Sequence, residues 1–274
     1  MAISQHLLHL APRLCPNQIT HSQAILVEPA PTLRREACDY FGNPIAYLTV
    51  EEPHQELTIV STARIESRTE SVPAPGETMP WEQVMPLLSE QADPDTFQAY
   101  QFAFDSPFTL SKDAGGYAAQ SFPSGRPLLE GAIDLMGRIF RDFKYEGGVT
   151  DIYTPVDRVL ADGRGVCQDF AHLQIACLRA MGLPARYVSG YLRTHPPEGQ
   201  KKKIGADASH AWLSVWVPGQ RWVDLDPTNN LLPGDEHITV AWGRDYSDVS
   251  PINGFVLGGG QQDVDVAVDV RPVE

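Results

Sequence analysis

Two hydrophobic periods divide the chain. Over LTIVSTARIES (57–67), Leu57, Ile59, Ala63 and Ile65 hold one face while Thr58, Thr62, Arg64 and Glu66 hold the other. Period two marks a half-buried strand. Phe41-Gly42-Asn43-Pro44 supplies turn chemistry between two such runs. Residues 1–72 are therefore expected to form an antiparallel β-sandwich-like domain. SVPAPG (71–76) reads as a linker, and 73–125 as linker and helical extension. From Pro127 the period lengthens: Leu128, Leu129, Ala132, Leu135, Met136, Ile139, Phe140 and Phe143 recur at three-to-four spacing. That is an amphipathic helix, ending before Gly147-Gly148. A second helix is expected from Cys167 to Met181, closed by Gly182-Leu183-Pro184 and apolar on nearly every face, hence buried. Strands are expected at 185–192, 208–217 and 221–226. VDVAVDV (264–270) alternates cleanly and reads as a C-terminal strand covering apolar surface.

Composition narrows the class. In 274 residues, 42% are apolar and 20% charged, enough apolar side chain for a sizeable core. The 22 glycines and 23 prolines follow no period, which excludes a coiled coil and fits a turn-rich β or α+β protein. No apolar run approaches the ~20 residues of a bilayer span, and the opening MAISQHLLHL has no basic residue ahead of an apolar stretch, so no secretory leader is expected. A net charge of −14 disfavours nucleic acid as partner. Residues 76–125 are the most acidic stretch, with seven acids against Lys112 alone. The basic run Lys201 to Lys203 reads as a solvated loop. Cys15, Cys38, Cys167 and Cys177 form no CxxC, which argues against zinc or a redox pair and for a reducing, cytoplasmic setting. No DxDxDG loop and no phosphate loop is present. No cofactor and no metal is expected.

The chemistry concentrates in GRGVCQDFAHLQIACLRAMGLPARYVSGYL (163–192) and ASHAWLSVWVPGQRWVDLDPTNN (208–230). Cys167 stands where a glycine-broken loop enters a helix. A helix N-terminus offers partial positive charge and free N–H groups, an environment that favours thiolates and can hold an oxyanion. Cys177, deeper in the same helix, reads as core. A nucleophilic thiol needs a base within hydrogen-bond reach. His172 lies about 500° round and 7.5 Å along the helix from Cys167, a poor partner; His195 and His237 fall in loop-like sequence. His210 opens the alternating run His210, Trp212, Ser214, Trp216 and is the expected base. Asp224 and Asp226 compete to orient it. A hairpin centred on Pro218 sets His210 opposite Asp226, with Cβ atoms ~5 Å apart, and Asp224 opposite Trp212. Asp226 is thus favoured, with Asp224 left as a structural or surface acid. The expected site is Cys167, His210 and Asp226.

At these residues the chain resembles the bacterial transglutaminase-like proteins, a branch of the papain-like cysteine-enzyme superfamily. GVCQDFAH, SHAW and DPTN carry the likeness, and place that family's cysteine, histidine and aspartate on Cys167, His210 and Asp226. His6 to Arg13 and the turn Asp39 to Asn43 resemble the family's N-terminal β-domain; 237–259 resembles its C-terminal extension. The resemblance implies an α+β fold: an N-terminal antiparallel β-domain, then, over 126–274, a core whose cysteine helix packs on an antiparallel sheet. It implies a thiol-dependent acyl-transfer enzyme, a protease, amidase or transglutaminase, acting on a peptide or protein substrate. The competing expectation is an interaction module that keeps the fold without catalysis. Oligomeric state is left open by the sequence.

Overall fold

The computed structural model describes residues 3–69, 71–194, 207–258 and 262–273. His195 and Lys201 to Lys203 lie outside the described residues. Strands β1 (Ile3–Leu8), β2 (Gln18–Glu28), β3 (Leu33–Cys38), β4 (Pro44–Val50) and β5 (Thr58–Ser67) come first. Helices α1 (Val84–Glu90), α2 (Pro94–Tyr100), α3 (Ala114–Ala118) and α4 (Leu128–Asp142) follow. Then come β6 (Lys144–Tyr145), α5 (Val156–Asp162), β7 (Arg164–Gly165), α6 (Cys167–Ala180), β8 (Ala185–Leu192), β9 (Ala208–Val217), β10 (Arg221–Leu225), β11 (His237–Gly243) and β12 (Ile252–Leu257).

The N-terminal strands make two layers. Alternation puts Leu8, Ala46 and Leu48 on the inner face of the β1–β4 pair, while Tyr47 faces out. The paired ribbon β2–β5 covers that face with Ile25, Val27 and Ile59. One strand comes from elsewhere: the sheet order is β12-β1-β4-β3, with Ile252 to Leu257 antiparallel to β1. The expected tail strand is corrected by the same finding. Residues 264–270 make one bridge, Val268 to Asp207, and Val264 and Val266 are 79% and 74% exposed. The place beside β1 is taken by β12.

The second sheet has order β10-β9-β8-β11, all antiparallel. Helix α6 packs on β8 and β9, burying Leu173, Ile175, Cys177 and Leu178 against Leu213 and Val215 in one apolar core. The acidic segment 77–125 closes over that helix, and Arg179 holds it there. Its guanidinium donates to Phe102 O, Ser106 Oγ and Thr109 Oγ1 on one side and to Ala185 O and Arg244 O on the other, at 2.7–3.0 Å. Burial drags the Arg179 pKa down to about 10, still charged, so all five contacts are charge-assisted.

Two buried amides join the halves. Gln18 donates to Thr239 O at 2.7 Å and accepts from Thr239 N–H at 3.0 Å. Asn43 does the same to Trp242, at 2.8 and 2.9 Å. Each side chain stands in for a neighbouring strand and satisfies the outer edge of β11. Arg13 and Arg186 stack over the Trp242 ring, at 3.1 and 3.6 Å from its centroid.

Candidate active site

Cys167 is the first residue of α6 and is half-buried. What fixes it is Asp169, two residues on. Its Oδ2 reaches back to accept from Val166 N–H at 2.7 Å and also takes the Thr150 hydroxyl at 2.6 Å. The carboxylate thus caps an otherwise unpaired N–H of the helix start. Burial raises the Asp169 pKa, against the pull of those two bonds. Gly165 leaves room for this arrangement: a Cβ there would sit 2.7 Å from Asp169 Oδ2. The parallel pair β6–β7 brings Tyr145 to the same end. Its phenol is raised by burial and then by the charges of Cys167 and Asp169.

His210 lies near the start of β9 with its side chain 7% exposed. Nε2 meets Asp226 Oδ2 at 2.8 Å, and Cys167 is the other group that acts on the charge of this imidazole. Burial works against a charged imidazole, but the bonds to Asp226 and Cys167 outweigh it and lift the His210 pKa to about 9. The Trp212 ring, fully buried, stacks beside it with centroids 6.0 Å apart.

Asp226 is completely buried and accepts from five N–H groups. Oδ2 takes His210, His237 Nε2 at 3.1 Å and Asn229 Nδ2 at 2.7 Å; Oδ1 takes the backbone N–H groups of Thr228 and Asn229 at 3.0 and 3.2 Å. Burial alone would raise its pKa; the bonds from His210 and His237 hold it far below the usual carboxylate range.

His210 and Asp226 are therefore brought together, but not by the expected register. The hairpin pairs Val217 with Arg221 and is centred on Gly219, φ +69°, so Asp224 opposes Ser214 and Leu225 opposes Leu213. Asp226 follows the last paired residue and bridges to Leu231. It reaches His210 on the diagonal rather than head-on. Asp224 accepts from Trp212 Nε1 at 3.2 Å and from the Ser214 hydroxyl. His172 is engaged elsewhere. Its Nε2 accepts from Tyr246 N–H at 3.2 Å, its ring lies beside Phe108 and Tyr187, and burial drives its pKa down to about 4.

Two contributors were missed by sequence reasoning. Asn229 had a signal, its place three residues after Asp226 in DPTN, where an Asx turn folds it back. His237 had none, since its contact depends on β11 lying beside β8. Among the described residues His210, Asp226 and His237 are one triple whose ligand atoms lie within 4.8 Å of one another. These atoms already bond each other, and we assign no metal to them. A cavity of about 250 Å³, lined by Thr150, Tyr153, Arg158 and Arg164 among others, adjoins the Asp169 side.

The transglutaminase-like superfamily core matches residues 117–227, and the bacterial transglutaminase-like N-terminal region matches 1–66. An uncharacterized Mycobacterium tuberculosis protein, Rv2569c, is 43% identical over 277 residues, spanning 97% of this chain and 86% of that one. The chain belongs to the bacterial transglutaminase-like family. A protein-glutamine gamma-glutamyltransferase of Pseudomonas aeruginosa is 39% identical over 80 residues, 28% of this chain and 12% of that enzyme. A crystal structure from Cytophaga hutchinsonii, described as that of a candidate cysteine protease, superposes with a TM-score of 0.72 at 22% identity, covering 93% of this chain and 81% of that one. The transglutaminase-like α+β fold is thereby shared along nearly the whole length. Among the described residues no helix is long and apolar enough to cross a membrane.

Proposed function

We propose that this family member is a thiol-dependent acyl-transfer enzyme acting on peptide or amide carbonyls of a protein or peptide substrate. The observation that carries the reading is the buried His210–Asp226 pair at 2.8 Å, together with Cys167 at the N-terminus of a buried helix. His210 takes the thiol proton as the Cys167 sulfur attacks the carbonyl carbon. The free N–H groups at the start of α6 face the developing oxyanion. His210 then protonates the leaving amine as the C–N bond breaks, and Asp226 holds the ring and offsets its charge. The thioester on Cys167 passes its acyl group to water or to a second amine. The likeness to a protein-glutamine gamma-glutamyltransferase supports the amine as one acceptor. Four free cysteines support a reducing, cytoplasmic setting.

The test is mass spectrometry of a peptide library incubated with the protein, with and without a primary amine. Cleavage, deamidation (a gain of about 1 Da) or amine incorporation, lost in Cys167→Ala, is the expected result. No Cys167-dependent mass change, together with equally slow iodoacetamide labelling of Cys167 and Cys177, would instead establish an interaction module.

A further inference from the structure

Asp226 Oδ2 serves two histidines. His237 Nε2 meets the same oxygen as His210 Nε2, at 3.1 Å against 2.8 Å. With Asp226 ionised, each imidazole must present an N–H to it, so His237 is a donor there. Its other nitrogen, Nδ1, is buried with no hydrogen-bond partner among the described residues, and its side chain is 5% exposed. A buried imidazole bonded at one end only is poorer packing than an aliphatic side chain of similar size. Stability therefore does not explain a histidine here; the shared oxygen does.

His237 is also held from a distance. It opens β11, and two residues on, Thr239 is gripped at both N–H and C=O by the Gln18 amide of β2. Gln18 is 3% exposed and donates in addition to Arg13 O at 2.7 Å. The N-terminal strands thus set where β11 begins, and β11 sets where His237 meets the carboxylate.

We propose that His237 is a positioning residue of the thiol site: it takes a share of Asp226 Oδ2 that would otherwise go to His210, on a strand anchored by Gln18. This rests on the acyl-transfer reading above. A carboxylate that gives part of its hydrogen-bonding capacity to His237 grips the His210 proton less tightly and releases it more readily to a leaving amine. The titratable groups facing His210 are Cys167 from α6, Asp226 from the turn after β10 and His237 from β11. Asn229 and Trp212 complete its surroundings.

The experiment compares the full-length protein with His237→Leu, which removes the donor and fills the space, and His237→Gln, which restores an N–H at the position of Nε2. Ring NMR follows the His210 titration, and iodoacetamide labelling of Cys167 is measured alongside. Expected is a His210 midpoint raised by about half a unit or more in His237→Leu, returned toward the parent value in His237→Gln, with both variants melting within a few degrees of the parent. An unmoved midpoint overturns the inference. So does a lowered one, which would mean His237 props the His210–Asp226 contact instead of sharing it. If His237→Leu does not fold, Gln18→Glu, read by the same titration, decides: a parent-like midpoint there overturns the inference. Should Cys167 of the parent label no faster than Cys177, the acyl-transfer reading fails first, a result distinct from any shift at His210.

Discussion

Replacing Asp226 with Asn changes the site by one atom and inverts its hydrogen bonding. The carboxylate accepts five N–H groups; an amide carries one acceptor oxygen and one NH2. If the oxygen takes the place of Oδ2, the NH2 confronts the N–H groups of Thr228 and Asn229. If the NH2 does, it confronts His210, His237 and Asn229. His210 can escape the clash by moving its proton to Nδ1, which in the proposed mechanism leaves the thiol without a base. A misplaced tautomer of this kind costs a triad enzyme about 10⁴-fold in turnover, equivalent to roughly 5 kcal/mol of barrier. The assay is turnover of the best library peptide, normalised to the melting temperature of each variant. A loss of less than about tenfold would refute the assignment of Asp226 as the orienting acid.

The same substitution makes a pH prediction with a defined sign. The His210 pKa stands at about 9 in the folded chain against an ordinary 6.5. A raised pKa contributes stability fully below pH 6.5, and the contribution fades as pH rises through 9. The difference corresponds to about 3 kcal/mol. Asp226 itself, held low, contributes above its ordinary value near 4 and loses that contribution in acid. Chemical denaturation should therefore find the gap between parent and Asp226→Asn widest from about pH 4 to 6.5 and shrinking toward 9. A gap that grows over that alkaline span contradicts the charge assignment.

Other substitutions separate support from chemistry. Asp224→Asn should cost about 1–2 kcal/mol of stability through its bonds to Trp212 and Ser214, while turnover per folded molecule stays near the parent's; a rate loss matching Asp226→Asn would mean the two acids have been confused. Gly190→Ala puts a Cβ 2.1 Å from Ile238 O and 2.5 Å from the Trp212 ring, and denaturation should show a loss of about 3 kcal/mol or more; parent-like stability would place β8 and β11 farther apart than described. Gln18→Leu leaves Thr239 N–H and C=O unpaired and should cost about 2–4 kcal/mol, read by urea melts, with an unchanged midpoint as the contrary result.

How far the sequence could be read depended on whether a residue's partner was local. α6 and its closing Gly182 were legible because period and punctuation lie within a few residues of each other. So was the pairing of His210 with Asp226, since a short hairpin must bring the two strand ends near one another. The details of that hairpin were not legible. Val217 pairs with Arg221 around Gly219, and one residue of slip moves every opposed pair. The acid still meets the base, because Asp226 has left the ladder and curls back through its own turn. His237 and the use of β12 were beyond reach for the opposite reason. Each is defined by a neighbour two hundred or more residues away in one case, and by a third strand in the other. Alternation in 264–270 misled because it reports what a segment can do, not whether a neighbouring strand pairs with it.

These observations bear on why the N-terminal sheet accompanies the thiol site in one chain. β11 is an outer strand of the site-bearing sheet, and an outer strand exposes unpaired N–H and C=O groups. Here the groups of Thr239 and Trp242 are met by Gln18 and Asn43, and the Trp242 ring lies under Arg13 and Arg186. A chain cut after the first sheet would lose the amides that stand in for a further strand, and with them the constraint on β11. His237 begins that strand and touches Asp226. The N-terminal strands are therefore connected to the site by a series of contacts, Gln18 to Thr239, along β11 to His237, and from there to the carboxylate that faces His210.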